Sequence, residues 1–348
     1  MSDETVPLRP DTAPSVEVAV VERLRPGLKW LALVPVLLVA FVAYTVRLPY
    51  FVIGPGPAVD VEPLIHVRGP QTYASDGHFL LTSVNEHQAN AYDLLTAWLD
   101  PASSVVPERD ILAPGQTQEQ EIQVAQSEMD TSKIDAAVVA LTAEAGYPGS
   151  ARPGALIEAV VPGTPADGKL FPGDVIASID GSPVKDPEAL GRLIVAGGAG
   201  HPLHMTVNGR PGGAVSVTVT PRYDARAGRP IVGVSSVPNF PFPLTISSGS
   251  IGGPSAGLMW TLGLTDLLTR GDLTGGRKIA GTGAIDASGK VYPIGGVQEK
   301  VVAAQRSGAV LFFVPHDNAA DARSVAHGMT IVEVTSFQDA LTYLEQHR

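Results

Sequence analysis

The chain has 348 residues, room for about two domains and a third small piece. With 44% hydrophobic and only 17% charged residues it has apolar surface enough to fold, which excludes whole-chain disorder. A net charge of −11 argues against a general nucleic-acid binder, and a cysteine count of 0 removes disulfide frameworks, thiolate zinc sites, iron–sulfur clusters and cysteine nucleophiles.

Residues 1–26 are polar, proline-punctuated and without periodicity, and are expected to form a disordered tail. Arg23, Arg25 and Lys29 lead into Trp30–Val46, a run of 17 residues without a charge. As a helix this run measures about 26 Å. Apolar neighbours extend it, so residues 27–47 are assigned as a transmembrane helix, with Trp30, Tyr44 and Tyr50 as interface anchors. A cleaved signal peptide is the main competitor; the long polar stretch before the run and the poor cleavage site near Ala43 speak against it. Cations cluster before the span and only Arg47 follows closely. The amino terminus is therefore expected in the cytoplasm and residues 48–348 outside, as a single-pass protein of the cell membrane.

Residues 48–127 are expected to form an extracytoplasmic segment. Gly54-Pro55-Gly56-Pro57 forbids helix, His78–Val84 reads as a strand and Asn90–Leu99 as a helix. Apolar residues from Ile122 to Leu141 follow helical spacing over Glu119–Ala145, with a break expected near Asp130-Thr131. After Ala151 the pattern changes to short strands: Ala155–Val161, Val175–Ile179, His204–Val207 and Ala214–Thr220, around a helix over Pro187–Val195. The ordered run PGTPA, LFPGDVIASIDG and DPEAL resembles a PDZ domain of the bacterial protease type, assigned to residues 128–224. That resemblance implies a β-barrel-like domain that adds a peptide to a sheet edge, here expected at Gly154, Ala155 and Leu156. Packing on a neighbour without binding a free terminus is the alternative.

Two segments in residues 225–348 carry chemistry. In Ser250–Gly257, SIGGPSAG, Pro254 suits a first helical turn and Ser255 follows it, beside N–H groups without intrahelical partners. Such groups can hold an oxyanion, and the glycines, Gly253 among them, let a substrate backbone approach. Alone, this pattern also fits an ordinary helix cap. In GKVYPIGGVQEKVVAAQR, Val297, Val301 and Ala304 mark a packed helix face that Lys300 adjoins. A lysine held against apolar surface loses hydration, its pKa falls, and once neutral it can take a proton from serine.

Together with KIAGTGA and LFFVPHDNAAD, these segments resemble the proteolytic domain of Lon proteases, an α+β fold. The resemblance implies a Ser–Lys dyad of Ser255 and Lys300, with Thr282 orienting the lysine and Lys290 outside the site. Ala284 departs from the acid common at that place, and Gln298 replaces a frequent lysine. The order tail, span, PDZ and protease resembles membrane-anchored Lon-like proteases, which implies a homo-oligomer, a hexamer in the Lon pattern. His78–Leu99 resembles the early part of a Lon proteolytic domain, which would make the PDZ domain an insertion. No GxxxxGK[ST] occurs, so ATP-driven unfolding by this chain is not expected. No HExxH is present, and neither metal nor cofactor is expected. The expected function is ATP-independent cleavage of unfolded or flexible envelope proteins. The competing readings are an inactive membrane-anchored PDZ scaffold, a protease facing the cytoplasm, and a triad built on His316.

Overall fold

The computed structural model describes residues 33–347. The expected tail, residues 1–26, lies outside them, as does the start of the expected span. Helix α1 (Leu33–Thr45) runs 13 residues and buries none of them. No helix among the described residues is long and apolar enough to cross a membrane.

Strand β1 (Tyr50–Asp60) is antiparallel to β2 (His78–Gln88), and its other edge pairs with β3 (Ser104–Pro107). The Gly-Pro-Gly-Pro run lies within β1, where the register shifts between Pro55 and Ala58; a bulge absorbs prolines that have no N–H to give the ladder. Helix α2 (Ala91–Leu99) carries an Asn90/Asp93 capping box, and α3 (Gln118–Glu144) one of Thr117/Gln120. Helix α3 runs unbroken through Asp130-Thr131, contrary to expectation. Asp130 pairs with Lys133 at 2.9 Å, and Thr131 turns its hydroxyl outward to Glu158 O at 2.9 Å instead of competing for its own backbone.

A second sheet follows. Strands β4 (Arg152–Val160), β5 (Val175–Ile179), β6 (Leu203–Asn208), β7 (Val215–Val219) and β8 (Val234–Asn239) stand in the order β8-β4-β5-β6-β7. Helix α4 (Pro187–Gly197) packs on it, and Ile157, Ile176, Met205, Val207 and Leu190 fill a separate core. This sheet reaches from Arg152 to Asn239, later at both ends than the expected 128–224. The missing strand comes after residue 224, and the residues before 152 belong to α3, whose Met129, Ile134 and Leu141 pack into the other core.

The chain then returns to the first sheet. Helix α5 (Gly257–Leu268) is buried on all sides from Gly257 to Asp266. Strands β9 (Lys278–Gly281), β10 (Leu311–Pro315) and β11 (Thr330–Val334) extend β2 in parallel, giving the order β11-β10-β9-β2-β1-β3. The five residues of β10 are all buried, as an interior strand covered on both faces requires. Phe313 faces the core shared with α3 and α5. Phe312 and Val314 face α6 (Val297–Arg306) and α7 (Ala319–Val325). Residues 50–107 and 278–334 thus share one sheet, and the β4–β8 unit is inserted between α3 and α5.

Candidate active site

Ser255 occupies a 3-10 turn, Pro254–Ala256, that runs directly into α5. Gly253 enters the turn at φ 81°, a conformation open to glycine, and nothing lies within 4 Å of where its Cβ would be. Gly257 is required by contact: a Cβ there would stand 2.7 Å from Ile285 Cγ2 and 2.8 Å from Ser132 Oγ. The Gly253 N–H is already committed to Ala125 O at 2.7 Å. Gly253 therefore shapes the turn and is not free to hold an oxyanion, a correction to the sequence expectation. The Ser255 N–H, at the start of the turn, is the group placed where intrahelical acceptors are missing.

Helix α6 starts at Gly296, which is left-handed at φ 67°. Val297, Val301 and Ala304 sit in the core beneath it, and Lys300 turns the same way. Its Nζ lies 2.8 Å from Ser255 Oγ and 3.4 Å from Thr282 Oγ1. Thr282 donates its own hydroxyl to Ser255 O at 3.0 Å, and the Gly283 N–H reaches the same carbonyl at 2.7 Å. Lys300 is 4% exposed; burial brings its ammonium down to about 8 from the ordinary 10.5, opposed only by the neighbouring charge of Glu299.

Lys290 is exposed, with its Nζ 4.8 Å above the Tyr292 ring. His316 lies exposed at 3.9 Å from Glu333, and the cleft around Ser255 contains no histidine. Asp286 follows the acid-less Ala284, but its carboxylate is spent in its own turn on Ser288 N, Lys290 N and the Tyr292 hydroxyl at 2.9, 3.1 and 2.8 Å.

The cleft encloses about 230 Å³ between Ser250–Gly252 and residues Thr82–Asn85 of β2. Strand β9 ends its pairing with β2 at Leu81, so the edge of β2 beyond that point has no strand partner in front of Ser255. The sequence predicted this strand but not its place beside the serine.

Gly154, Ala155 and Leu156 do not lie at an open edge. They belong to β4, an interior strand, where Ala155 pairs with Ile176 on one side and Pro238 on the other. The sheet's edges are β8 and β7, and the edge beside α4 is β8. A groove of about 330 Å³ runs between it and α4, lined by Pro187, Leu190, Gly191 and Ile194 of the helix and by Val232–Ser236. Pro238 is tolerated in β8 because an edge strand can do without one N–H.

Residues 244–345 match the family described as Lon protease (S16) C-terminal proteolytic domain, and residues 156–208 match the PDZ domain family. The chain is 37% identical over 102 residues to Lon protease of Clostridium beijerinckii, covering 28% of this chain and 13% of that protein. It is 47% identical over 73 residues to Lon protease of Roseiflexus castenholzii, 21% of this chain and 9% of that one. The chain thus spans about an eighth or less of these relatives. Among solved structures, the PDZ domain of the SdrC-like protein from Listeria innocua is similar at 22% identity and a TM-score of 0.22, covering 24% of this chain and 92% of that one. The chain thus carries one stretch similar to a Lon (S16) proteolytic domain and another similar to a PDZ domain.

Proposed function

We propose that this protein is an ATP-independent, membrane-anchored serine endopeptidase that cleaves unfolded or flexible envelope proteins through Ser255 and Lys300. One observation carries this reading: a buried lysine with a lowered pKa, 2.8 Å from a serine hydroxyl at the start of a helix. Neutral Lys300 takes the Ser255 proton as Oγ attacks the peptide carbonyl, and the resulting ammonium gives that proton to the leaving amine. A water then attacks the acyl-serine, with Lys300 again accepting the proton and returning it to Oγ. Thr282 holds Lys300 and the Ser255 carbonyl in register. The substrate backbone lies as an added strand against Thr82–Asn85, where the edge of β2 is unpaired. The groove between β8 and α4 recruits a second extended segment of the substrate.

Membrane attachment is supported by α1, whose residues from Leu33 to Ala43 are all apolar and none of which is buried. Its end is tied to α2 by Asn90 Nδ2 on Tyr44 O at 3.0 Å, and α2 exposes Tyr92, Leu95, Trp98 and Leu99 on one face beside it. Protease added to intact spheroplasts should digest the bulk of the chain; removal of the first twenty-odd residues alone would reverse the orientation. Assembly into a homo-oligomer, a hexamer in the Lon pattern, belongs to the same reading.

The purified full chain in detergent should digest casein, and Ser255→Ala should abolish the digestion. A correctly folded chain without Ser255-dependent cleavage would instead be a membrane-anchored peptide-binding scaffold.

A further inference from the structure

Helix α3 touches both the nucleophile turn and the inserted sheet. On one side Ser132, which is 2% exposed, donates its hydroxyl to the Pro254 carbonyl at 2.9 Å, one residue before Ser255. Ala125 O takes the Gly253 N–H, and Gln126 Nε2 reaches Ser250 O at 3.4 Å. On the other side Thr131 Oγ1 donates to Glu158 O at 2.9 Å, and Asp135 is buried one turn further along the helix. Glu158 lies on β4 and also accepts the Ser235 hydroxyl. Ser235 belongs to β8, the strand that lines the groove.

These side chains do not behave as helix residues of their type usually do. A serine or threonine inside a helix commonly bonds the carbonyl four residues back, as Thr142 does on this same helix to Val138 O at 2.7 Å. Ser132 crosses to another element instead. Thr131 likewise crosses to Glu158 O on β4. Burial first, then nearby Glu158 and the charge of Asp286, raise Asp135 to about 8.

We propose that Thr131, Ser132 and Glu158 are positioning residues that make α3 a rigid link between the groove edge at Ser235 and the Pro254–Ser255 turn. A segment added to β8 bears on Ser235 and Glu158, Glu158 bears on α3, and α3 sets the Pro254 carbonyl that fixes where Ser255 Oγ stands. This rests on the endopeptidase reading above.

The test uses the full chain in detergent and a short flexible fluorogenic peptide. Ser132→Ala should lower kcat roughly three- to thirtyfold and leave KM within twofold. Thr131→Ala and Ser235→Ala should lower kcat in the same sense, although neither touches the cleft. Thr131→Ser, which still donates to Glu158 O, should restore kcat to within twofold. The double Thr131→Ala/Ser132→Ala variant should lose less than the product of the single losses. Unchanged kcat in Thr131→Ala and Ser235→Ala, with wild-type cleavage still abolished by Ser255→Ala, overturns the link. So does a Thr131→Ser loss as large as that of Thr131→Ala and matched by the fall in melting temperature. Absence of Ser255-dependent cleavage in the wild type overturns the endopeptidase reading itself.

Discussion

The cleft at Ser255 and the groove at β8 are both built around an unpaired stretch of strand, yet they are opposite in what surrounds that stretch. In the cleft, Ser255, Lys300 and Thr282 bond one another and the lysine is buried. The groove offers an edge strand and the apolar side of a helix, with Arg229 at its wall. The first is fixed for chemistry, the second is left open for a backbone to join. Variants in the cleft should therefore change turnover, and variants on the α4 wall of the groove should change which substrates are held.

The largest effect should come from the dyad. Ser255→Ala, Lys300→Ala and Lys300→Arg should each lower kcat by roughly three orders of magnitude or more on casein, and the double alanine variant should be little worse than either single one. A surviving Lys300→Ala enzyme would break the contrast at its centre.

The pH profile is next. Lys300 acts as a base only when neutral, so kcat/KM should fall about tenfold per unit below its value near 8. The same shift affects stability. Between about 8 and 10.5 the unfolded chain holds the lysine proton and the folded chain does not, so this group makes stability rise with pH across that window. Lys300→Met should abolish the rise and increase the melting temperature at pH 7, followed by circular dichroism.

A smaller effect is expected in the groove. Gly191→Trp, on the α4 wall, should raise KM several-fold for a long unfolded substrate and leave the short peptide unaffected. Equal loss on both would merge the two regions into one. The smallest effect belongs to Lys290→Ala, which should keep activity within twofold, because its exposed ammonium covers the Tyr292 ring and does not line the Ser255 cleft.

What the sequence disclosed follows the same contrast. GPSAG and GGVQEK are local: a turn entering a helix and a glycine-started helix with Lys300 on its packed side. Residue spacing alone places such groups, and the structure brings Ser255 and Lys300 within 2.8 Å. The groove was not legible, because which strand is an edge depends on where β8 joins, more than seventy residues after β4 begins. Thr82–Val84 read correctly as strand, which runs on through Gln88, but their approach to Ser255 depends on where β9 stops. Ser132 carried no signal at all; a serine within a helix pattern looks like a solvent-facing or back-bonded residue until the neighbouring element is in place.

The insertion of the second sheet sets the order of events at synthesis. Thr82 Oγ1 meets Gly281 O across 199 positions, so β2 emerges from the ribosome roughly 10–40 s before the strand that completes it. The β4–β8 unit has its own core and closes within its own stretch of chain. A chain stopped near residue 275 should show protection from pulse proteolysis only over that unit, with β1–β3 still digestible. Ser255 is made before Lys300, and the half-sheet that frames their cleft stays open until then. The nascent chain would therefore lack a working nucleophile until then, and its cutting power would appear only with the last strands.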